Sequence, residues 1–139
     1  AWIRDSTNPE EALLNADRVL CDAPCAGLGI IGRKPEIRYK DPKTLEGLPE
    51  LQFTILEQAA RQVKDGGVLA YSTCSLNPAE NGQVAERFLK EHPEFSPLPL
   101  VLPETVKRGI EEPEHQLTLL PHINDTDGFF VALFQKTGN

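Results

Sequence analysis

The sequence predicts an α/β protein, with a mostly parallel sheet whose last strand runs antiparallel. Three observations carry that expectation. Two short apolar runs, 18–22 (RVLCD) and 68–73 (VLAYST), each lead into a small polar cluster with a cysteine, Cys25 and Cys74. A helical pattern separates them and another follows the second, the alternation expected of parallel βαβ units. Two further strand patterns close the chain with no helix predicted between them, as antiparallel neighbours would be.

The elements follow in order. The opening AWIRDSTNPEEALLNADR reads as the tail of something already under way, with Pro9 near a helix start and acids in its first turn. RVLCD is short and apolar enough for a buried strand. APCAGLGIIGRK is a loop in which Pro24, Gly27, Gly29 and Gly32 serve turns and close approaches. PEIRYKDPKTLEGLPE is polar and rich in proline and glycine, an exposed connection. Over 48–64, Leu48, Leu51, Ile55, Leu56, Ala59 and Val63 recur at helical spacing, and Gly66 and Gly67 are expected to end that helix. VLAYST is the second strand. A second helix is expected over 78–91, with Asn77 as N-cap, Pro78 at the first helical position and Pro93 beyond the end. The stretch 95–114 carries too many prolines for regular structure, and strands are expected near 116–120 and 129–136. Right-handed crossovers place the loops after 22 and 73 on one sheet edge, beyond the carboxyl ends of the strands, where α/β proteins bind ligands. The two cysteine clusters should therefore be neighbours in space.

Composition narrows the function. A chain of 139 residues is one domain's worth, and 40% hydrophobic with 25% charged residues is ordinary for a globular protein. No apolar run reaches the roughly 20 residues a membrane helix needs, so no membrane partner is expected. Three cysteines are an odd count and too few for a disulfide scaffold, and no export signal pattern opens the chain; the expected location is the cytoplasm. A formal net charge of −7 argues against nucleic-acid binding by bulk charge, yet leaves room for a local basic patch. The densest is GRKPEIRYK, with Arg33, Lys34, Arg38 and Lys40. It reads either as a solvated loop or, with aromatic Tyr39, as an RNA contact.

A lone cysteine at a strand end is more often a small buried hydrophobe than a nucleophile. Two on one sheet edge, flanked by Asp22 and Pro24 or by Thr73 and Ser75, shift the reading toward chemistry. Cys21, inside its strand, is expected in the core. CDAPC without a second cysteine pair is a weak metal motif, and no metal is expected. His92, His115 and His122 read as structural or surface residues. DGFF reads as structural, with Gly128 turning the chain and the phenylalanines buried.

DAPCAGLG, YSTCSLNPAEN and the closing LLPHINDTDGFFVALFQK resemble the RNA cytosine-C5 methyltransferases of the NOP2/Sun family, most closely its bacterial members that act on small-subunit ribosomal RNA. The resemblance spans nearly the whole chain. It implies a Rossmann-like fold that uses S-adenosylmethionine, and that residues 1–139 are the C-terminal half of the catalytic domain, with a glycine-rich cofactor loop, a ribose-binding acid and an RNA-binding domain upstream. It departs at Ala26, where the family usually has serine.

The family chemistry explains these residue types. Cytosine C5 is a poor nucleophile, and addition of a thiolate to C6 turns the ring into an enamine that can attack a methyl sulfonium. A thiolate is both a good nucleophile and a good leaving group. The target base must leave its stack to reach these groups. The resemblance implies Cys74 as nucleophile, Cys25 as the cysteine that assists product release, and Asp22 between cofactor and base, where a carboxylate at the N3/N4 edge favours cytosine. It further implies that Pro24 shapes the turn at the cofactor and that Asp5 contacts the cofactor's adenine end. The implied substrate is small-subunit ribosomal RNA. Strand order and spacing alone do not choose between Cys74 and Cys25. In DNA cytosine methyltransferases the Pro-Cys thiol is the nucleophile, but those enzymes lack a second cysteine of the TCS type. The alternative from another class is a non-catalytic RNA- or protein-binding module that retains a methyltransferase half-fold.

Overall fold

A computed structural model of the chain describes residues 14–138. The helix start expected at Pro9 and the candidate Asp5 lie outside them. In chain order the elements are β1 (Ala16–Asp22), α1 (Leu48–Gln62), β2 (Val63–Thr73), α2 (Gly82–Glu91), β3 (Phe95–Pro97), β4 (Gln116–Leu119), the short α3 (Pro121–Asn124) and β5 (Phe129–Lys136). β1 and β2 pair in parallel, with Leu20 opposite Ala70 and Asp22 opposite Ser72. β5 inserts antiparallel beside β2, Phe130 opposite Thr73. Its far edge is shared, β4 pairing with its first half and β3 with its second. β1 to β4 therefore point one way and β5 opposes them, as the sequence predicts. Because β5 sits centrally, β1–β2 is nevertheless the single parallel ladder among the described strands.

α1 and α2 cover one face of the sheet. There Cys21, Leu69, Tyr71, Ala132 and Phe134 meet Phe53, Leu56 and Ala60 of α1 and Val84, Ala85 and Phe88 of α2. The Phe88 ring lies 4.9 Å from that of Phe134 and 5.1 Å from that of Phe95, within the range of favourable aromatic packing. Cys21 is in this core as expected, and burial pushes its thiol up to about 12, with the Asp22 carboxylate adding to the shift. The opposite face is apolar too but thinly covered: Val68, Ala70 and Leu133 are half-buried and Leu20 is 70% exposed.

Four local expectations are corrected. α1 runs straight into β2 at Val63, and Gly66 and Gly67 lie inside the strand instead of ending the helix. Ala16 pairs with Val63 and Arg18 with Val68, so residues 64–67 bulge opposite Asp17, and Gly66 adopts a φ of +77° that the bulge demands. α2 begins at Gly82; Asn77 instead closes an Asx turn by accepting from the Ala79 N–H at 3.1 Å. The proline-rich stretch contributes β3 after all, on a sheet edge where Pro97 loses no ladder bond. Finally, α1 buries Gln52 and Phe53 and leaves Leu51 exposed, for a reason that lies in the site.

Candidate active site

The parallel register sets the site. Asp22 and Ser72 end level, the Ser72 hydroxyl donates to Asp22 Oδ1 at 2.9 Å, and the Ala23 N–H continues the ladder to the Ser72 carbonyl at 3.0 Å. The chains that leave these strand ends bring Cys25 Sγ to 2.8 Å from Cys74 Sγ, with the Cys74 N–H donating to Cys25 Sγ at 3.2 Å. Both thiols are free and half-buried. Burial, followed by the hydrogen bond with the Cys74 side chain, pushes the Cys25 thiol up to about 11. The expectation that the two cysteines meet at one edge is thus realised.

DGFF joins them. The Gly29 N–H donates to the Cys74 carbonyl at 2.8 Å and the Gly128 N–H donates to the Gly29 carbonyl at 2.7 Å. A Cβ at Gly29 would stand 2.1 Å from the Gly128 carbonyl oxygen and 2.7 Å from that of Cys74. Three loops from distant parts of the chain pack backbone to backbone here. Gly128 serves by close approach, not by an unusual φ.

Beneath the thiols lies a polar network that sequence reasoning missed. The Glu80 carboxylate, 1% exposed, accepts from the Ala26 N–H at 2.8 Å, from Gln52 Nε2 at 2.9 Å and from the Ser75 hydroxyl at 2.5 Å. Gln52 Nε2 also donates to the Pro24 carbonyl at 2.9 Å. Both its partners are acceptors, so the amide can face only one way, and Gln52 Oε1 has no hydrogen-bond partner among the described residues. The Asn81 side chain accepts from the Thr73 hydroxyl and donates to the Ser75 carbonyl, and the Tyr71 hydroxyl donates to the Glu80 carbonyl. These pulls draw Gln52 into the apolar stripe of α1 and hold residues 77–81 in a turn, which delays α2. The available signal was the polar Gln52 one position before inward-facing Phe53, together with Glu80 in NPAEN.

The basic stretch is brought beside the Cys25 loop. Ile37 is buried, with its Cδ1 3.0 Å from where a Gly27 Cβ would lie. Around that anchor Lys34, Arg38, Lys40 and Tyr39 are exposed. Arg33 is exposed as well but pairs with Asp127 at 2.7 Å, which offsets part of the patch's positive charge. Asp22 and Pro24 are exposed at the end of β1, beside a shallow cleft shared with Leu20, Ile55 and Gln62. Away from the site, His92 stacks on Phe88 and bonds Glu57 and Glu94, His115 is buried against Phe134, and His122 is exposed. Among the described residues no group of three or more acids, histidines and cysteines is placed to hold a metal, and no helix is long and apolar enough to cross a membrane.

The chain is 44% identical over 126 residues to the "Probable ribosomal RNA small subunit methyltransferase B" of Bacillus subtilis (strain 168), covering 88% of this chain and 28% of that protein. It is 40% identical over 138 residues to the protein of the same name from Synechocystis sp. (strain ATCC 27184 / PCC 6803 / Kazusa), covering 97% of this chain and 31% of the relative. The chain thus spans less than a third of the length of these relatives. The crystal structure of NSun6 from Pyrococcus horikoshii with SFG superposes with a TM-score of 0.78 at 26% identity, over 98% of this chain and 34% of that one. The family model for 16S rRNA methyltransferase RsmB/F matches residues 1–135, and the chain belongs to that family.

Proposed function

We propose that the protein carrying this chain methylates C5 of cytosine in small-subunit ribosomal RNA, with S-adenosylmethionine as methyl donor and a covalent bond between Cys74 and C6 of the base. The observation that carries the reading is the meeting of two free thiols, from separate strand ends, at 2.8 Å on the carboxyl edge of the sheet. The names of the relatives supply the substrate class, and NSun6 solved with SFG, an analogue of S-adenosylmethionine, supplies the cofactor.

The residues fit that cofactor. Among the described residues Asp22 makes one side-chain hydrogen bond, through Oδ1, so its other oxygen can receive a donor. Asp22 and Pro24 would hold the cofactor near the base, and Asp5 would meet its adenine end. The bound cofactor supplies an electrophilic methyl group. Cys74, as thiolate, would bond to C6 and push electron density to C5, so that C5 could accept the methyl group as its bond to the sulfonium sulfur breaks and a neutral thioether is left. Loss of the C5 proton to a base then restores the C5–C6 double bond, and the sulfur leaves as the C6–S bond breaks. The raised Cys25 thiol stays protonated at neutral pH. The family resemblance gives it the role of assisting release. Lys34, Arg38 and Lys40, with Arg33 beside them, would contact RNA phosphates near the thiol pair. The chain's place in a longer catalytic domain, with the rest of the cofactor site upstream, belongs to the same proposal.

In the full-length protein, Cys74→Ala should abolish both methylation and any covalent protein–RNA species. Cys25→Ala should let an adduct accumulate in the presence of cofactor, as a slow band on a denaturing gel. An adduct that survives Cys74→Ala and vanishes with Cys25→Ala would reverse the assignment, and a protein that forms none and transfers no methyl group would leave the non-catalytic alternative.

A further inference from the structure

Glu80 touches neither cysteine, yet its carboxylate reaches the residue that follows each. Its Oε1 accepts from the N–H of Ala26, next after Cys25, and its Oε2 from the hydroxyl of Ser75, next after Cys74. Oε1 also takes Gln52 Nε2, which holds the carbonyl of Pro24, next before Cys25. The backbone of Glu80 is in turn fixed by the hydroxyl of Tyr71, itself fully buried in β2.

A buried carboxylate is a costly way to fill space. Desolvation opposes it unless donors surround it, and an apolar side chain of the same volume would pack without that penalty. A carboxylate offers instead two oxygens at fixed separation, each accepting from a different loop. An apolar residue cannot link two loops in this way.

We propose that Glu80 is a positioning residue that sets the separation of Cys25 and Cys74 by gripping the residue after each, and so governs the hand-over from attack by one thiol to release assisted by the other. The catalytic half rests on the reading that both thiols serve one reaction; the geometric half does not. A side chain that merely stabilised the fold would alter melting without altering how often the two sulfurs meet. In an enzyme, a displacement of about 1 Å at the reacting groups can cost about a hundredfold in rate.

The test reads the approach of the thiols directly, without RNA. Diamide takes two hydrogens from two thiols, becoming the hydrazine as the disulfide forms, and the rate of Cys25–Cys74 disulfide formation in the full-length protein is followed by peptide mass mapping. Glu80→Ala should slow it about tenfold or more. Glu80→Gln should stay near the wild-type rate, because the amide oxygen can keep the Ala26 and Gln52 donors while Ser75 turns to accept from the new NH2. A folded Glu80→Ala protein that cross-links at the wild-type rate overturns the proposal. If Glu80→Ala does not fold, Ser75→Ala removes the link of Glu80 to the Cys74 loop, together with the acceptor of the Asn77 N–H, and an unchanged rate there overturns it equally. In the methylation assay Glu80→Ala should lower kcat, leave KM for RNA nearly unchanged and accumulate the covalent adduct. A wild-type protein without methyl transfer but with the cross-linking difference defeats the functional reading and not the role of Glu80.

Discussion

Two polar regions lie side by side at the carboxyl edge of the sheet, and they are built in opposite ways. The cysteine loops turn their polar groups inward: Glu80, Asn81, Ser75 and Gln52 are buried and bonded to one another or to neighbouring backbone. The basic stretch turns its polar groups outward, held to the fold by buried Ile37 while Lys34, Arg38, Lys40 and Tyr39 face solvent. In a dry environment a misplaced polar group costs about 1–3 kcal/mol, so such a network holds one geometry. Solvated charges carry no such penalty and are free to follow a partner's phosphates. The first arrangement suits placement of reacting atoms to a fraction of an ångström; the second suits attraction of a long, charged ligand.

The largest expected effect concerns thiol reactivity. Burial and the neighbouring thiol disfavour the Cys25 thiolate, so its raised value of about 11 means that the thiolate appears only as pH approaches that value. At pH 8 it should alkylate about a hundredfold more slowly than an ordinary thiol, for which the value is about 8.5. Its rate should keep rising toward pH 11 where an ordinary cysteine has levelled off. Iodoacetamide labelling of Cys25, quantified by peptide mass spectrometry across pH, checks this; a plateau below pH 9 would place Cys25 with the solvated groups and blur the contrast between the regions.

Two glycines sharpen the comparison at the level of packing. Gly29 is wedged against the carbonyls of Gly128 and Cys74, whereas a Cβ at Gly32, next to the basic stretch, would meet nothing within 4 Å. Gly29→Ala should destabilise by about 2 kcal/mol or more, as overpacking against backbone does, while Gly32→Ala should stay within about 0.5 kcal/mol. Denaturant unfolding of both variants measures the difference, and equal stabilities would mean that the three-loop junction yields more easily than its close packing implies.

The smallest expected effect is on RNA affinity. Reversing Arg33, Lys34 and Arg38 to glutamate should weaken RNA binding about tenfold at low salt and reduce its salt dependence, by about 0.7 in the log–log slope for each phosphate that the variant no longer neutralises. Arg33 should contribute least, because Asp127 already pairs with it. Identical slopes for variant and wild type, read by fluorescence anisotropy across a salt series, would return the whole stretch to the solvated class.

Much of the architecture was legible because it depends on local periodicity. β1, β2 and β5 announce themselves as apolar runs, α1 and α2 as helical spacing, and the short passage from β4 to β5 as an antiparallel close, although the single turn of α3 within it was read as loop. The cysteine pair was legible as well, since parallel strands joined by a right-handed crossover must end on the same edge. Glu80 and Gln52 were not. A polar residue looks the same in sequence whether water or another part of the fold satisfies it, and their partners lie far along the chain. The bulge at 64–67 was hidden for a related reason: Gly66 and Gly67 suit a helix end as well as a strand bulge, and the choice was made by pairing with β1.

The sequence by itself determined the order of β1, α1, β2, α2, β4 and β5, the inward stripe of Ile55, Leu56 and Ala59, and the two strand ends from which Cys25 and Cys74 depart, because each follows from side-chain spacing along one stretch of chain. Only the tertiary structure decided which surfaces close on one another. It set Gly29 between Gly128 and Cys74, put one carboxylate under both cysteine loops and paired Arg33 with Asp127. The physical reason is that hydrogen bonds and close contacts are satisfied by whichever groups the folded backbone brings within reach, and that reach is a property of three dimensions that no local pattern records.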